Sequence, residues 1–184
     1  PSIDKCEPRL VVDGTLFHVD KSGEEIIVTA VWHGIDEGEV DKVWIPVHEC
    51  CEGRAAQTST EIVIDAHVAE DLDIFVGSSV SLGVGEGRMS FTVVGLGYQS
   101  NHFWFTPEGS LFPAEVGTYV TGYLTDEGLE KLANLSSGSS NKILIDLEGI
   151  PAFDLPSTDN FEGDEIYPVK AHVMEVLLAA DSGT

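Results

Sequence analysis

Two carboxylates and a histidine stand close together in the first half of the chain. Glu61 and Asp65 share one face of a β-rich run, because side chains alternate along a strand, and His67 follows two residues later. Paired carboxylates can carry out acid–base catalysis, with one group donating a proton and the other accepting one. An acid that ends a strand and caps the next helix explains the same residues without catalysis. We expect capping, and no catalytic residue.

A second group of chemically active residue types comprises His48, Glu49, Cys50 and Cys51. Structural zinc sites separate paired ligands by a few residues so that both reach one ion, whereas these cysteines are adjacent. We therefore expect a loop without metal. The remaining cysteine, Cys6, can pair with either of the others in an oxidising compartment, and free thiols are equally compatible with the sequence.

The acidic loop at residues 154–165 has the oxygen-rich composition that calcium prefers. Its acids do not have the spacing of an EF-hand before a glycine, so a solvated loop is the expectation. No cofactor is expected anywhere in the chain.

Neither nucleophilic catalysis nor nucleotide hydrolysis has a motif in this sequence. No G-x-S-x-G elbow occurs, and no histidine has a partner at the sequence spacing of a catalytic motif. The glycine-rich run at residues 83–87 lacks the lysine and the strand-to-helix context of a P-loop, so it indicates a hairpin turn. We expect a protein that is not an enzyme.

An aromatic run is the best candidate for a contact surface. In a strand, Phe103 and Phe105 would face one way while His102 and Trp104 face the other. One of these faces is expected in the core, and the other, with Tyr98, would form an interaction patch for a partner or an apolar ligand.

The elements that must position these residues are mostly strands. β-Rich runs and turn signals predict strands at residues 9–12, 16–19, 25–32, 43–47, 61–65, 79–84, 89–95, 117–124 and 142–147. Helical spacing predicts helices at residues 66–72, 125–135 and 168–180. Val68, Ala69 and Leu72 can share an apolar face of the first. Thr125 is expected to cap the second, in which Leu129, Leu132 and Leu135 have helical spacing. The sequence therefore predicts an α+β fold with mixed and antiparallel sheets and two or three short helices, in one domain or two small lobes.

Glycines and small polar residues predict the turns between these elements. Asp13-Gly14, Lys21-Ser22-Gly23 and Gly85-Glu86-Gly87 are predicted to be turns, and the last of these is expected to close a hairpin. Residues 136–140 are predicted to form a flexible linker.

Composition limits the classes of partner. The 184 residues carry 32 acidic and 9 basic side chains, a formal net charge of −23. Nucleic-acid binding is not expected, because phosphate requires a cationic face. Hydrophobic residues make up 42% of the chain, which is enough for a packed core. No apolar run reaches the roughly 18 residues that span a bilayer.

The stretch from Thr60 to Ser100 also carries a resemblance. Its "EIVID" strand, "AEDLDIFVG" helix, "SSVSL" strand and "FTVVGLGYQS" strand are similar in order to the extracytoplasmic domain of MacB/FtsX-type ABC-transporter permeases. Gly53-Arg54 ahead of the stretch fits the same family, and Leu111-Phe112-Pro113 with residues 124–135 and 141–145 continues the likeness. The resemblance covers residues 9–147.

This resemblance implies a single extracytoplasmic domain of a cell-membrane protein, excised from flanking membrane helices. Its implied partners are a cytoplasmic ATPase subunit, a second permease copy and an external cargo or adaptor protein. The implied role is to transmit ATP-driven movement outside the membrane, with hinges expected at residues 136–140 or 34–38. A secreted or surface module that binds a ligand without transport is the alternative.

Overall fold

A computed structural model of the chain describes residues 3–20, 22–35, 43, 45, 53–99, 107, 112, 114–115 and 117–147. Among these residues the fold is mixed α+β, with eight strands and two short helices, as predicted. The strands are β1 (Ile3–Arg9), β2 (Val11–Val19), β3 (Glu25–Gly34), β4 (Glu61–Asp65), β5 (Ser79–Val84), β6 (Gly87–Gly97), β7 (Tyr119–Leu124) and β8 (Lys142–Leu147). The helices are α1 (Ala66–Ala69) and α2 (Asp126–Ala133).

Six of the strands close into a barrel in the order β2-β3-β7-β4-β6-β5. Four neighbouring pairs are antiparallel, and the pairs β3–β7 and β4–β6 are parallel. Closure gives each of these strands a hydrogen-bonded neighbour on both sides, which removes the exposed edges that promote aggregation.

The connectivity of the barrel repeats once. A hairpin, a strand and a helix (β2, β3, β4 and α1) are followed by a second hairpin, strand and helix (β5, β6, β7 and α2). Exchanging β2 with β5, β3 with β6 and β4 with β7 leaves the order and direction of every pair unchanged. The barrel therefore consists of two topologically equivalent halves, although the sequence shows no repeat.

Trp32 fills the barrel interior. Its side chain is fully buried, and its indole Nε1 donates a hydrogen bond to the carbonyl oxygen of Gly83 at 3.2 Å. A Cβ atom at Gly14 would lie 2.1 Å from Nε1, and one at Gly122 would lie 2.8 Å from the indole ring. Both glycines are therefore required by packing around the indole.

This packing corrects the prediction of a turn at Asp13-Gly14. Both residues lie within β2, which pairs with β3 without interruption from Val11 to Val19. The residues predicted as strands at 9–12 and 16–19 are in strands except Leu10, but their division is wrong, because β1 ends at Arg9 and residues 11–19 form the single strand β2. Glycine serves here to make room for Trp32, and local sequence does not distinguish that use from a turn.

Several barrel strands are buried on both faces. Ile62, Ile64 and Val120 belong to the interior cluster, whereas the alternating residues of the same strands point outward. These outward residues are also buried, and every position of β7 is buried. The outward buried set comprises His33, Val63, Asp65, Tyr119, Thr121 and Tyr123.

The predicted hairpins and helices are present with altered bounds. Gly85 and Glu86 form the two-residue turn between β5 and β6, and the turn before β3 is centred on Ser22 and Gly23. Helix α1 is shorter than predicted, because Asp73 adopts a left-handed φ of 54° and Ile74 donates its N–H back to Ala69. Its apolar face is confirmed, since Val68, Ala69 and Leu72 are buried.

Helix α2 has the predicted N-cap. The Thr125 hydroxyl accepts a hydrogen bond from the Gly128 N–H at 3.2 Å, and the left-handed residue Asn134 ends the helix. Leu129 and Leu132 are buried as their spacing predicts. Leu135 lies beyond the C-cap and is 46% exposed, so its predicted place on the helical face is wrong.

The chain divides into two compact units, of which residues 6–144 contain the barrel and residues 1–5 with 145–184 form the other. In the unit formed by residues 1–5 and 145–184, the structure describes only residues 3–5 of β1 and 145–147 of β8. Strands β1 and β8 pair as a two-stranded sheet. Cys6 is a free, exposed thiol.

Some predicted elements fall largely or wholly outside the described residues. Val43 and Ile45 do not lie in a strand, and the rest of the predicted strand at 43–47 is outside. The predicted helix at 168–180, the acidic loop at 154–165 and the group His48, Glu49, Cys50 and Cys51 also lie outside.

Candidate functional site

A group of polar side chains surrounds Asp65, at the junction of β4 and α1. The carboxylate is fully buried, and its Oδ1 accepts a hydrogen bond from the His67 N–H at 2.9 Å. The same oxygen lies 2.6 Å from the His67 ring atom Nδ1. Oδ2 accepts a hydrogen bond from the Tyr123 hydroxyl at 3.3 Å. Asp65 is thus the N-cap of α1, which confirms the capping interpretation of this residue.

Burial controls the ionisation of this carboxyl group. Removal from water raises the pKa of Asp65, and the opposing influence of the His67 and Tyr123 hydrogen bonds is smaller. The short contact between Asp65 and His67 has the geometry of an ion pair, but the full burial of the carboxyl outweighs it. The charged form of Asp65 is therefore disfavoured by its surroundings.

Two aromatic contacts extend the group on either side. The His67 ring lies against Tyr98, with centroids 4.6 Å apart, and the His33 ring lies 5.6 Å from that of Tyr123. Four of the strands that form the barrel, or residues next to them, thus contribute to one cluster. We call Asp65, His67, Tyr98, Tyr123 and His33 the Asp65 cluster.

The aromatic patch predicted from sequence is represented here by Tyr98 alone. His102, Phe103, Trp104 and Phe105 lie outside the described residues. The association of Tyr98 with His67 was missed by sequence reasoning, because His67 in α1 and Tyr98 just after β6 come together only through the parallel pairing of β4 with β6.

Glu61 does not join Asp65 in a catalytic pair. The Arg54 guanidinium binds both oxygens of the Glu61 carboxylate at 2.8 and 2.6 Å, and the Gln57 N–H donates to one of them. These bonds hold the pKa of Glu61 at about 2. Because Glu61 and Asp65 occupy opposite ends of β4, the structure gives each acid its own structural partner.

The Gly53-Arg54 motif has a clear structural role in this arrangement. Arg54 donates its N–H to the Val94 carbonyl at 2.9 Å, and Gly53 forms a bridge with Gly95. A Cβ on Gly53 would lie 2.2 Å from the Val94 oxygen, and one on Gly95 would lie 2.4 Å from the Arg54 oxygen. The two glycines allow close backbone contact, and this contact aims Arg54 at Glu61.

The predicted linker at residues 136–140 is wrong as a flexible segment. The carboxylate of Glu130, in α2, accepts hydrogen bonds from the N–H groups of Gly138 and Ser139 at 2.5 and 3.1 Å. Ser139 also bonds back to the Ser136 carbonyl. Five small polar residues suggested freedom, but a buried glutamate fixes them, so the hinge expected here has no support. At the other expected hinge, Gly34 and Ile35 are hydrogen-bonded to Leu10 and Leu124, and residues 36–38 lie outside the described part.

In the described ranges, no group of three or more histidine, cysteine, aspartate or glutamate side chains is placed to hold a metal ion. Among the described residues, no helix has the length and apolar character to cross a membrane.

No protein-family model matches the chain, and no curated protein matches it significantly.

Proposed function

We propose that the chain is the extracytoplasmic domain of an ABC-transporter permease of the MacB/FtsX type. The observation that carries the proposal is the order of strand, helix and hairpin between Glu61 and Gly97. This is the order on which the sequence resemblance depends, and β7, α2 and β8 continue it in the expected sequence. The Gly53-Arg54 pair, which the resemblance also includes, braces this same region through Glu61.

The junction at the base of the barrel suits such a role. Within the unit formed by residues 6–144, Asn141 donates its N–H to the Arg9 carbonyl, and its side chain bonds both backbone groups of Val11. The chain therefore enters and leaves the barrel at adjoining points. A domain inserted between two membrane segments requires this arrangement, because both connections must return to one surface.

The proposed mechanism is mechanical and involves no covalent step in this domain. ATP-driven closure of cytoplasmic ATPase subunits would move the membrane helices that flank the domain. The closed barrel would then move as a body relative to a second permease copy and would hold or release an external cargo or adaptor protein. Such coupling requires two states whose energies differ by a few kcal/mol.

The location of the parent protein tests this proposal. An antibody raised against the chain would be applied to fractions of cells that express its gene. We expect the antigen in the membrane fraction, resistant to carbonate washing and solubilised by detergent. Protease added to intact cells stripped of any outer barrier should remove the epitope, while a cytoplasmic control protein survives.

Recovery of the antigen from the soluble fraction would contradict the proposal. So would protection of the epitope from protease until the membrane is broken, because the domain would then face the cytoplasm.

A further inference from the structure

The outer face of β2 carries a cleft that the proposed transport role does not explain. Its volume is roughly 430 Å³, within the usual range of ligand-binding clefts. Asp13, Thr15 and Phe17 line one side, and the β5–β6 turn with Arg88 lines the other.

The cleft arises because β2 and β5 pair over only three residues each. The ladder covers Thr15 to Phe17 on β2 and ends at Gly83 on β5, after which the hairpin diverges. The Gly83 carbonyl accepts its hydrogen bond from the Trp32 indole. The absence of a side chain at Gly83 is required, since a Cβ there would lie 2.9 Å from the Phe17 ring. The space is thus built by the core packing of the barrel.

An exposed apolar strip extends the cleft along the barrel surface. Ile27 lies opposite Phe17 in the β2–β3 register and is 63% exposed, and Val19 is 58% exposed. Phe17 and Val19 share one face of β2, because alternate residues of a strand point the same way. We call this surface, from Asp13 through Phe17 to Val19 and Ile27, the β2 groove.

Charge differs along the β2 groove. The Arg88 guanidinium lies 3.8 Å from the Phe17 ring centroid and 2.8 Å from the Glu25 carboxylate, so its charge is already matched. Asp13 and Glu86 line the other end, and neither has an ion-pair partner within the described residues. The groove therefore offers two carboxylates next to an apolar floor.

We infer that the β2 groove binds a peptide segment of a partner protein that carries basic residues next to aliphatic ones. A lysine or arginine would contact Asp13 and Glu86, and the aliphatic side chains would cover Val19 and Ile27. A second copy of this chain, at a net charge of −23, and an anionic lipid surface are both repelled by the same carboxylates. The inference concerns the chemistry of the partner and holds for a transporter domain or a free binding module.

The test measures binding of a labelled synthetic peptide of alternating lysine and leucine to the intact chain, at physiological salt, by fluorescence anisotropy. The groove variant Asp13→Lys/Glu86→Lys should weaken binding by about tenfold or more. The matched variant Glu70→Lys/Asp71→Lys makes the same charge change at exposed sites beside α1 and should weaken it by less than about threefold.

A second pair of variants tests the apolar strip. Ile27→Ser should weaken binding by about fivefold, whereas Leu135→Ser, at an exposed aliphatic residue outside the groove, should leave it unchanged. Each variant would first be compared with the parent chain by circular dichroism.

The inference is overturned if the peptide does not bind the parent chain. Equal weakening by the groove and control variants would also overturn it, because attraction to the overall negative charge would then explain binding. These outcomes are independent of the cellular location of the parent protein, so the inference and the proposed transport role can fail separately.

Discussion

The two halves of the barrel have the same connectivity but different interiors. Gly122 in β7 pairs with Trp32, and Ile62 at the equivalent position of β4 pairs with Val93. Ile62 and Gly122 are equivalent because each lies one residue before the central pair of the β4–β7 ladder, Val63 and Tyr123. Exchanging β4 with β7 therefore places Ile62 where Gly122 was. The β3–β7 pair therefore combines a very large side chain with none, whereas the equivalent β4–β6 pair combines two of intermediate size.

The residues that cap the two helices also differ between the halves. Asp65 and Thr125, which lie 60 residues apart, occupy equivalent strand ends and cap α1 and α2. The first cap is a buried carboxyl and the second is a neutral hydroxyl. The comparison teaches that the topology tolerates different solutions for volume and polarity, while Glu61 and Asp65, whose pKa values are shifted, both lie in β4 of the first half.

The largest effect is expected when the β3–β7 pair Trp32 and Gly122 is given the residues of the equivalent β4–β6 pair, Val93 and Ile62. Gly122→Ile should destabilise the barrel by more than about 3 kcal/mol, because even a Cβ there meets Trp32 and Ile62 at 2.8 Å. Trp32→Val should cost about 3 kcal/mol through the cavity it leaves. The double variant roughly conserves the summed volume and should be more stable than either single variant.

Urea unfolding of all four proteins measures this coupling as a double-mutant cycle. Thr29→Ile adds similar bulk on the exposed face of β3 and should change stability by less than about 0.5 kcal/mol. Additive effects of the two interior substitutions would show that Trp32 and Gly122 do not share one space.

The caps should differ in pH dependence. Burial raises the pKa of Asp65 above 3.8, so the folded state binds the proton more tightly than the unfolded state does. The stability of the parent chain relative to Asp65→Asn should therefore be greatest in acid and decline as pH rises through the raised pKa. Thr125→Ala should lose about 1 kcal/mol at every pH.

Unfolding free energies of both variants between pH 4 and pH 8 provide the measurement. If the stability of the parent chain relative to Asp65→Asn instead increases with pH, the pKa of Asp65 is lowered, as in an ordinary ion pair.

Glu61 should show the opposite dependence. Its pKa of about 2 lies below the ordinary value of 4.5, so its contribution to stability is complete above pH 4.5 and declines as pH falls toward 2. Glu61→Gln should lower the melting temperature by a few degrees at pH 7, with a difference that shrinks below pH 4.5. A difference that remains constant down to pH 3 would assign the effect to packing rather than to the charge facing Arg54.

The smallest effect is expected on the surface of α2. Lys131 contacts Glu127 one turn earlier, and both side chains are more than half exposed. Glu127→Gln should cost about 0.3 kcal/mol at low salt and nothing measurable at 1 M salt. A larger loss would show that the second half also depends on charge.

Local patterns in the sequence predicted most of the elements but not the closure of the barrel. β-Branched runs, the hairpin turn and the Thr125 cap depend on neighbouring residues, and these predictions are confirmed, although Gly87 of the predicted turn belongs to β6. A glycine is required at position 14 because of Trp32, which is 18 positions away in the chain. Neighbouring residues do not show this contact, so the local sequence predicts a turn there instead. The parallel ladders that close the barrel join strands far apart in sequence.

The same distinction explains the candidate sites. The capping role of Asp65 could be predicted, because its partner His67 is two residues away. Tyr123 and Tyr98 could not be placed beside it, since their positions depend on two different ladders. The Arg54–Glu61 contact was missed although the Gly-Arg motif was recognised, because the loop between these residues gives no periodic signal.

The most direct test of the account asks whether ATP hydrolysis accompanies the parent of this chain. The parent would be purified from detergent-solubilised membranes with the antibody against the chain, and Mg·ATP hydrolysis would be measured in the eluate and in the isolated chain. The account predicts hydrolysis in the eluate through a co-purifying ATPase subunit or domain, and none in the isolated chain. Purification of a protein without ATPase activity and without membrane segments would contradict it.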